Sequence, residues 1–296
     1  MKFGKKASLS LLACAALTVV GSAQAAGSFN LFTDGSSGVS EGATYTQMPD
    51  QPTGTGFIDS FVRVQTNQPT VKGYNTTVDG VFDNKSEDNY NHQITVGQVG
   101  VVTVGGANVM RFLLDINQTG ANPRLNLDDV QIFISKTPNQ AVTTFTGGEA
   151  NIGTTNGVLA LADSRLVYRM DTTANNTIGL DFSLNSGSGS GDMYLDVPLA
   201  MFTAAFDKAP IGDYNTTAER NAAYIYLYSK FGSPLYTNND GFEEWAYAPG
   251  KAIGDPCIAA NNCGGGGGGT GVPEPASLAL VALGMLGIAR ARRRKV

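Results

Sequence analysis

The chain has 296 residues and a formal net charge of −5, with one histidine, three cysteines and 37 glycines. Ser/His/Asp or Cys/His catalysis would rest on His92 alone, and a zinc site, which needs about four ligands, would find that histidine far in sequence from Cys257 and Cys263. The acidic balance argues against nucleic acid as a partner, because phosphate binding draws on Lys and Arg.

From the N-terminus, Lys2, Lys5 and Lys6 precede an apolar stretch, Ala7 to Val20, and the small-x-small triplet Ala23-Gln24-Ala25. That order predicts a signal peptide over residues 1–25 and hence export. Setting aside this segment and the basic C-terminal tail leaves 12 Lys and Arg against 24 Asp and Glu, a body of about −12.

Residues 26–256 are long enough for one sizeable core, or at most two sandwich-sized domains. Short alternating runs recur between clusters of Gly, Asn, Asp, Thr and Pro, which predicts a mainly β, β-sandwich-like ectodomain. Ile58, Val62 and Val64 share one face, and Ile94 to Val104 reads as strand interrupted by Gly97 and Gly100. Phe112, Leu114 and Ile116 fall on one side with Asp115 and Asn117 on the other. Val130, Ile132 and Ile134 form another face, followed by strand-like runs at Val158–Met170 and Thr177–Leu184. Met193 to Phe206 is the least strand-like stretch, and LAMFTAAF after Pro198 suits a short helix. Tyr224, Tyr226 and Tyr228 share a face near the end of the body.

The chemistry-bearing segments are few. DINQTGANPRLNLDD, Asp115 to Asp129, resembles an EF-hand or dockerin-type calcium loop. Asp115, Asn117 and Thr119 match ligand positions 1, 3 and 5, with Gly120 at position 6. A three-residue insertion, Ala121 to Pro123, would place Asn126 and Asp129 at positions 9 and 12. The resemblance implies Ca²⁺ as a cofactor; the alternative is a turn-rich loop between strands. Glu243 and Glu244 are adjacent, so on a strand they point to opposite faces and do not make a glycosidase pair. The expected protein is therefore non-enzymatic. Exposed aromatics beside amides and carboxylates suit sugar binding, and Trp245 and Tyr247, with the tyrosine stripe, are the candidate glycan contacts.

Cys257 and Cys263 are spaced to close a local disulfide in an oxidising compartment. They open a Cys- and Gly-rich linker, 257–271, with six consecutive glycines. The chain then ends in VPEPASLALVALGMLGIARARRRKV, residues 272–296. Pro273-Glu274-Pro275 is followed by an apolar run over 276–289 and by Arg290, Arg292, Arg293, Arg294 and Lys295. As a helix the run would span roughly 21 Å, short beside a bilayer core of about 30 Å. Its basic end would stay cytoplasmic.

This tail resembles the PEP-CTERM sorting signal of Gram-negative bacteria. The resemblance implies recognition of Pro273, Glu274 and Pro275 by an exosortase, with the basic cluster as the stop. A short single transmembrane helix would hold the chain at the inner membrane before delivery to the cell surface or matrix. Phe61 to Thr76, RFLLDINQ and DGFEEW also resemble exported members of that group, which accompany exopolysaccharide and biofilm production. The alternatives are a calcium-stabilised adhesion module and, third, a secreted hydrolase.

Overall fold

The computed structural model describes residues 28–49, 59–85, 89–148, 157–187, 189–208, 214–232 and 235–264. The signal segment 1–25 and the tail 272–296, with its expected transmembrane helix, lie outside the described residues. Among those described, no helix is long and apolar enough to cross a membrane.

The chain is mainly β. It begins with β1 (Phe29–Leu31), β2 (Ser37–Ser40), β3 (Ala43–Gln47), β4 (Val62–Val64), β5 (Val71–Tyr74) and β6 (Ile94–Thr95). A helical turn, α1 (Val96–Val99), leads to β7 (Val102–Val104), β8 (Ala107–Asp115) and β9 (Arg124–Ser135). Next come β10 (Phe145–Thr146), β11 (Val158–Leu159), β12 (Ser164–Arg169), β13 (Ile178–Asp181) and β14 (Met193–Pro198). Helices α2 (Leu199–Phe206) and α3 (Thr217–Ala222) precede β15 (Tyr224–Phe231), β16 (Glu243–Tyr247) and α4 (Pro256–Ala259).

Two seven-stranded sheets result. One runs β1-β13-β9-β15-β5, with β12 also on β9 and β6 also on β15; the other runs β2-β3-β14-β8-β16-β4, with β7 also on β8. Strand β9 is the spine of the first sheet. Its Arg124 end pairs with β13 and its Ser135 end with β12, while β15 follows the opposite edge.

Alternation explains why the sheets pack. Met110, Phe112 and Leu114 of β8 and Leu125, Leu127, Ile132 and Ile134 of β9 join one shared core. Every second side chain of a strand faces the same way. In β9 a register irregularity opposite Lys230/Phe231 switches the inward row from Leu125 and Leu127 to Ile132 and Ile134, so both parts of the strand reach that core. The outer face of β15 is also covered. Tyr226 and Tyr228 are buried in a second cluster with Tyr74, Val81, Phe133, Leu159 and Leu161, beneath the β10–β11 pair. The tyrosine stripe is thus a packing surface, which corrects its reading as a sugar platform.

Three local expectations change. Residues 96–99 are helical because Thr95 and Gln98 form a capping box that satisfies the first free amides. Gly100 ends the turn at φ +64°, where a Cβ would stand 2.5 Å from the Gly250 carbonyl carbon. Met193–Pro198 is a strand, with the helix at Leu199–Phe206 following directly after Pro198. The packed body continues beyond residue 256. Cys263 is buried, the Thr103 amide donates to its carbonyl at 2.8 Å, and the Asn108 side chain donates to the Ile258 carbonyl at 2.7 Å. A disulfide joins Cys257 to Cys263.

Candidate functional site

The 15 residues from Asp115 to Asp129 do not close around an ion. Asp115 ends β8 in one sheet, whereas Asn126 and Asp129 lie within β9 in the other, so the connection carries its two ends apart. Asn117 and Thr119 turn their amides to Glu243 Oε2 at 3.1 Å and to Asn239 Oδ1 at 2.8 Å. Asp129 is buried beside Gln131, which donates to it at 2.8 Å, and burial together with the nearby Asp171 pushes its carboxyl up to about 8. Among the described residues no three Asp, Glu, His or Cys side chains stand together as metal ligands. The calcium-loop reading of Asp115, Asn117, Thr119, Asn126 and Asp129 is corrected accordingly: its spacing belongs to a crossover between sheets.

Trp245 is also reassigned. It is fully buried, and its indole Nε1 donates to Ser229 Oγ at 3.0 Å. Tyr247, two residues along on the same face, packs against the core with its ring 6.1 Å from that of Phe61. An aromatic row at period two forms the core edge here, and Trp245 has no ring face to offer a sugar. The adjacent carboxylates engage different partners. Glu243 accepts from Gln118 Nε2 at 2.7 Å, and Glu244 accepts from Arg63 Nε and Ser60 Oγ, each at 2.7 Å.

The crossover instead gathers buried acids that sequence spacing did not reveal. Asp115 Oδ2 accepts from the Gly189 amide and Asp192 Oδ2 from the Ile116 amide, each at 2.7 Å. The second oxygens, Asp115 Oδ1 and Asp192 Oδ1, are buried without a hydrogen-bond partner. Burial pushes the Asp115 carboxyl up to about 7, against the lowering effect of the Gly189 amide. Asp192 and Glu243 are driven well above the usual carboxylate range, first by burial and then by neighbouring negative charge.

Beside this cluster opens a cleft of about 630 Å³, bordered by Asn122, Arg124, Asp181, Leu235, Tyr236 and Asn239. Local sequence sets each wall. Arg124 opens β9 directly opposite Asp181 at the end of β13, and the opposed charges meet at 3.3 Å. Phe32, just after β1, lies over β13 because Gly179 has no side chain. A Cβ there would stand 2.8 Å from the Phe32 ring. The guanidinium of Arg124 therefore sits 4.3 Å from the Phe32 ring centroid and 5.7 Å from that of Tyr236, and the two rings meet edge-on at 5.6 Å. Asn239 is held in place: its Oδ1 accepts from Thr119 and its Nδ2 donates to the Asn122 carbonyl, both at 2.8 Å. Leu235 is 73% exposed. The arrangement offers an apolar rim, ring surface, amides and an ion pair to a polar ligand.

Fold and cleft together define a mainly β protein of two sheets with a polar, aromatic-walled cleft. A sharper assignment comes from the C-terminus, where residues 271–295 match the PEP-CTERM protein-sorting motif. The motif implies an exported protein that passes through the membrane and is processed by an exosortase. Pro273, Glu274, Pro275 and the basic cluster all fall within the matched residues. Comparison with curated proteins and with solved structures found no match for the chain.

Proposed function

We propose that this is a non-enzymatic component of the cell surface or extracellular matrix that binds polysaccharide. On this reading the apolar run 276–289 holds the chain at the inner membrane until an exosortase acts at Pro273-Glu274-Pro275. The body then reaches the surface or matrix and associates there with exopolysaccharide.

The observation that carries the binding reading is the cleft, with Tyr236 and Arg124 in its wall, Phe32 packed against both, and the amides of Asn122 and Asn239 alongside. Sugars present apolar ring faces and hydroxyl edges, and this wall offers a partner for each. Co-sedimentation of the full-length chain with exopolysaccharide from its own host tests the reading. Saturable binding that falls at least tenfold in Tyr236→Ala is the expected result. Binding by neither wild type nor variant would remove it.

A further inference from the structure

Asn239 borders two cavities. One is the 630 Å³ cleft; the other, of about 140 Å³, is bordered by Gln65, Thr66, Asn67, Asn238 and Asp240 as well. The wall between them is built. Asn239 is anchored through both side-chain atoms to the 116–123 crossover, and its backbone amide donates to Gln118 Oε1 at 3.2 Å. The neighbouring Asn238 is buried and donates to the carbonyls of Thr66 and Gln68, both at 2.9 Å. One pair of clamped loops therefore shapes both cavities.

The two cavities differ in chemistry. The larger has ring and apolar surface from Tyr236 and Leu235. The smaller is bordered by amides, a hydroxyl and a carboxylate, and among the described residues no aromatic or basic side chain borders it. Such a sequence suits a sugar packed face-on against a ring, followed by one held through its hydroxyls.

Charge narrows the ligand further. Among the described residues the charged side chains bordering the two cavities are Arg124, Asp181 and Asp240, and Arg124 is paired with Asp181 at 3.3 Å. The site carries a net negative charge, on a body of about −12 by its 12 basic and 24 acidic residues. A polyanion would be repelled both at a distance and at contact.

We infer that the two cavities are successive subsites for an internal stretch of an uncharged polysaccharide chain. The inference rests on the glycan reading above and adds to it the length and charge of the ligand.

The test uses the full-length chain and host exopolysaccharide cut by partial acid hydrolysis, separated into neutral and acidic fractions and then by length. Titration calorimetry should show neutral disaccharides binding at least tenfold more tightly than monosaccharides, with little gain beyond. Gln65→Ala and Asn67→Ala should bring the disaccharide affinity down towards that of the monosaccharide. Equal affinity at every length would overturn the subsites. Tighter binding of the acidic fraction would overturn the charge assignment. No binding by any fraction would remove the polysaccharide reading itself.

Discussion

Trp245 Nε1 donates to Ser229 Oγ at 3.0 Å across the core, linking β16 of one sheet to β15 of the other. The sole tryptophan of the chain thus reports directly on the contact between the sheets. The bond satisfies a buried donor that would otherwise cost about 1–3 kcal/mol.

Trp245→Phe is therefore expected to lower unfolding stability by about 1–3 kcal/mol, and Trp245→Ala by about 3–5 kcal/mol. Urea unfolding followed by far-ultraviolet circular dichroism measures both. In the wild type, tryptophan emission should be blue-shifted and should move to the red in the same single transition. A red-shifted emission from the native protein would contradict the burial of Trp245.

The buried acids set an uncommon pH dependence. Asp115 has a folded value of about 7 against an ordinary 3.8. Between those values the unfolded chain has lost a proton that the folded chain keeps, so rising pH favours unfolding. Asp192 and Glu243 act in the same direction, as does Asp129 at about 8. Stability should fall from pH 4 to pH 8, with Asp115 contributing on the order of a few kcal/mol. Urea midpoints at pH 4, 6 and 8 check this, and Asp115→Asn should flatten the profile. A midpoint that rises with pH would show these carboxyls ionised in the folded state.

Calcium supplies a separate check on the crossover. With Asp115 and Asp129 in different sheets, melting curves in millimolar Ca²⁺ and in EDTA should coincide. Occupation at 100 times Kd would add about 2.7 kcal/mol, so a bound ion would shift the melt by several degrees. Such a shift would show that the buried acids take an ion after all.

The Cys257–Cys263 disulfide closes a short loop, worth roughly 2–3 kcal/mol if the segment stays ordered when folded. Its ring holds the Cys263 carbonyl on the Thr103 amide and the Cys263 amide on Thr103 Oγ1 at 2.9 Å. Cys257→Ser with Cys263→Ser should lower the melting temperature by a few degrees and speed hydrogen exchange at Thr103. Unchanged exchange there would mean that the packing of 257–264 does not need the bond.

Much of this protein was legible because the relevant signals are local. Alternation placed Phe112, Leu114 and Ile116 together, and Val130, Ile132 and Ile134 together, because a strand repeats every two residues whatever it packs against. The helix after Pro198 followed from a run of eight residues suited to it. The sorting motif at 271–295 is contiguous and is read as a peptide, so it needed no fold to be seen.

Tertiary structure decided the rest, since side chains far apart in sequence meet only when the sheets stack. Periodicity put Tyr224, Tyr226 and Tyr228 on one face, but only the residues packed over it, among them Val81, Phe82, Phe145, Leu159 and Leu161, buried Tyr226 and Tyr228. The spacing of Asp115 and Asp129 suggested a ring of ligands until the crossover sent them to opposite sheets. The cleft joins Asn122, Arg124, Asp181, Tyr236 and Asn239, which come from three separate stretches of chain. The sequence alone determined the strand-forming pattern and the C-terminal sorting motif. Which polar groups are buried, and which meet at a surface, depended on the register and stacking of two sheets, a long-range property that no local pattern encodes.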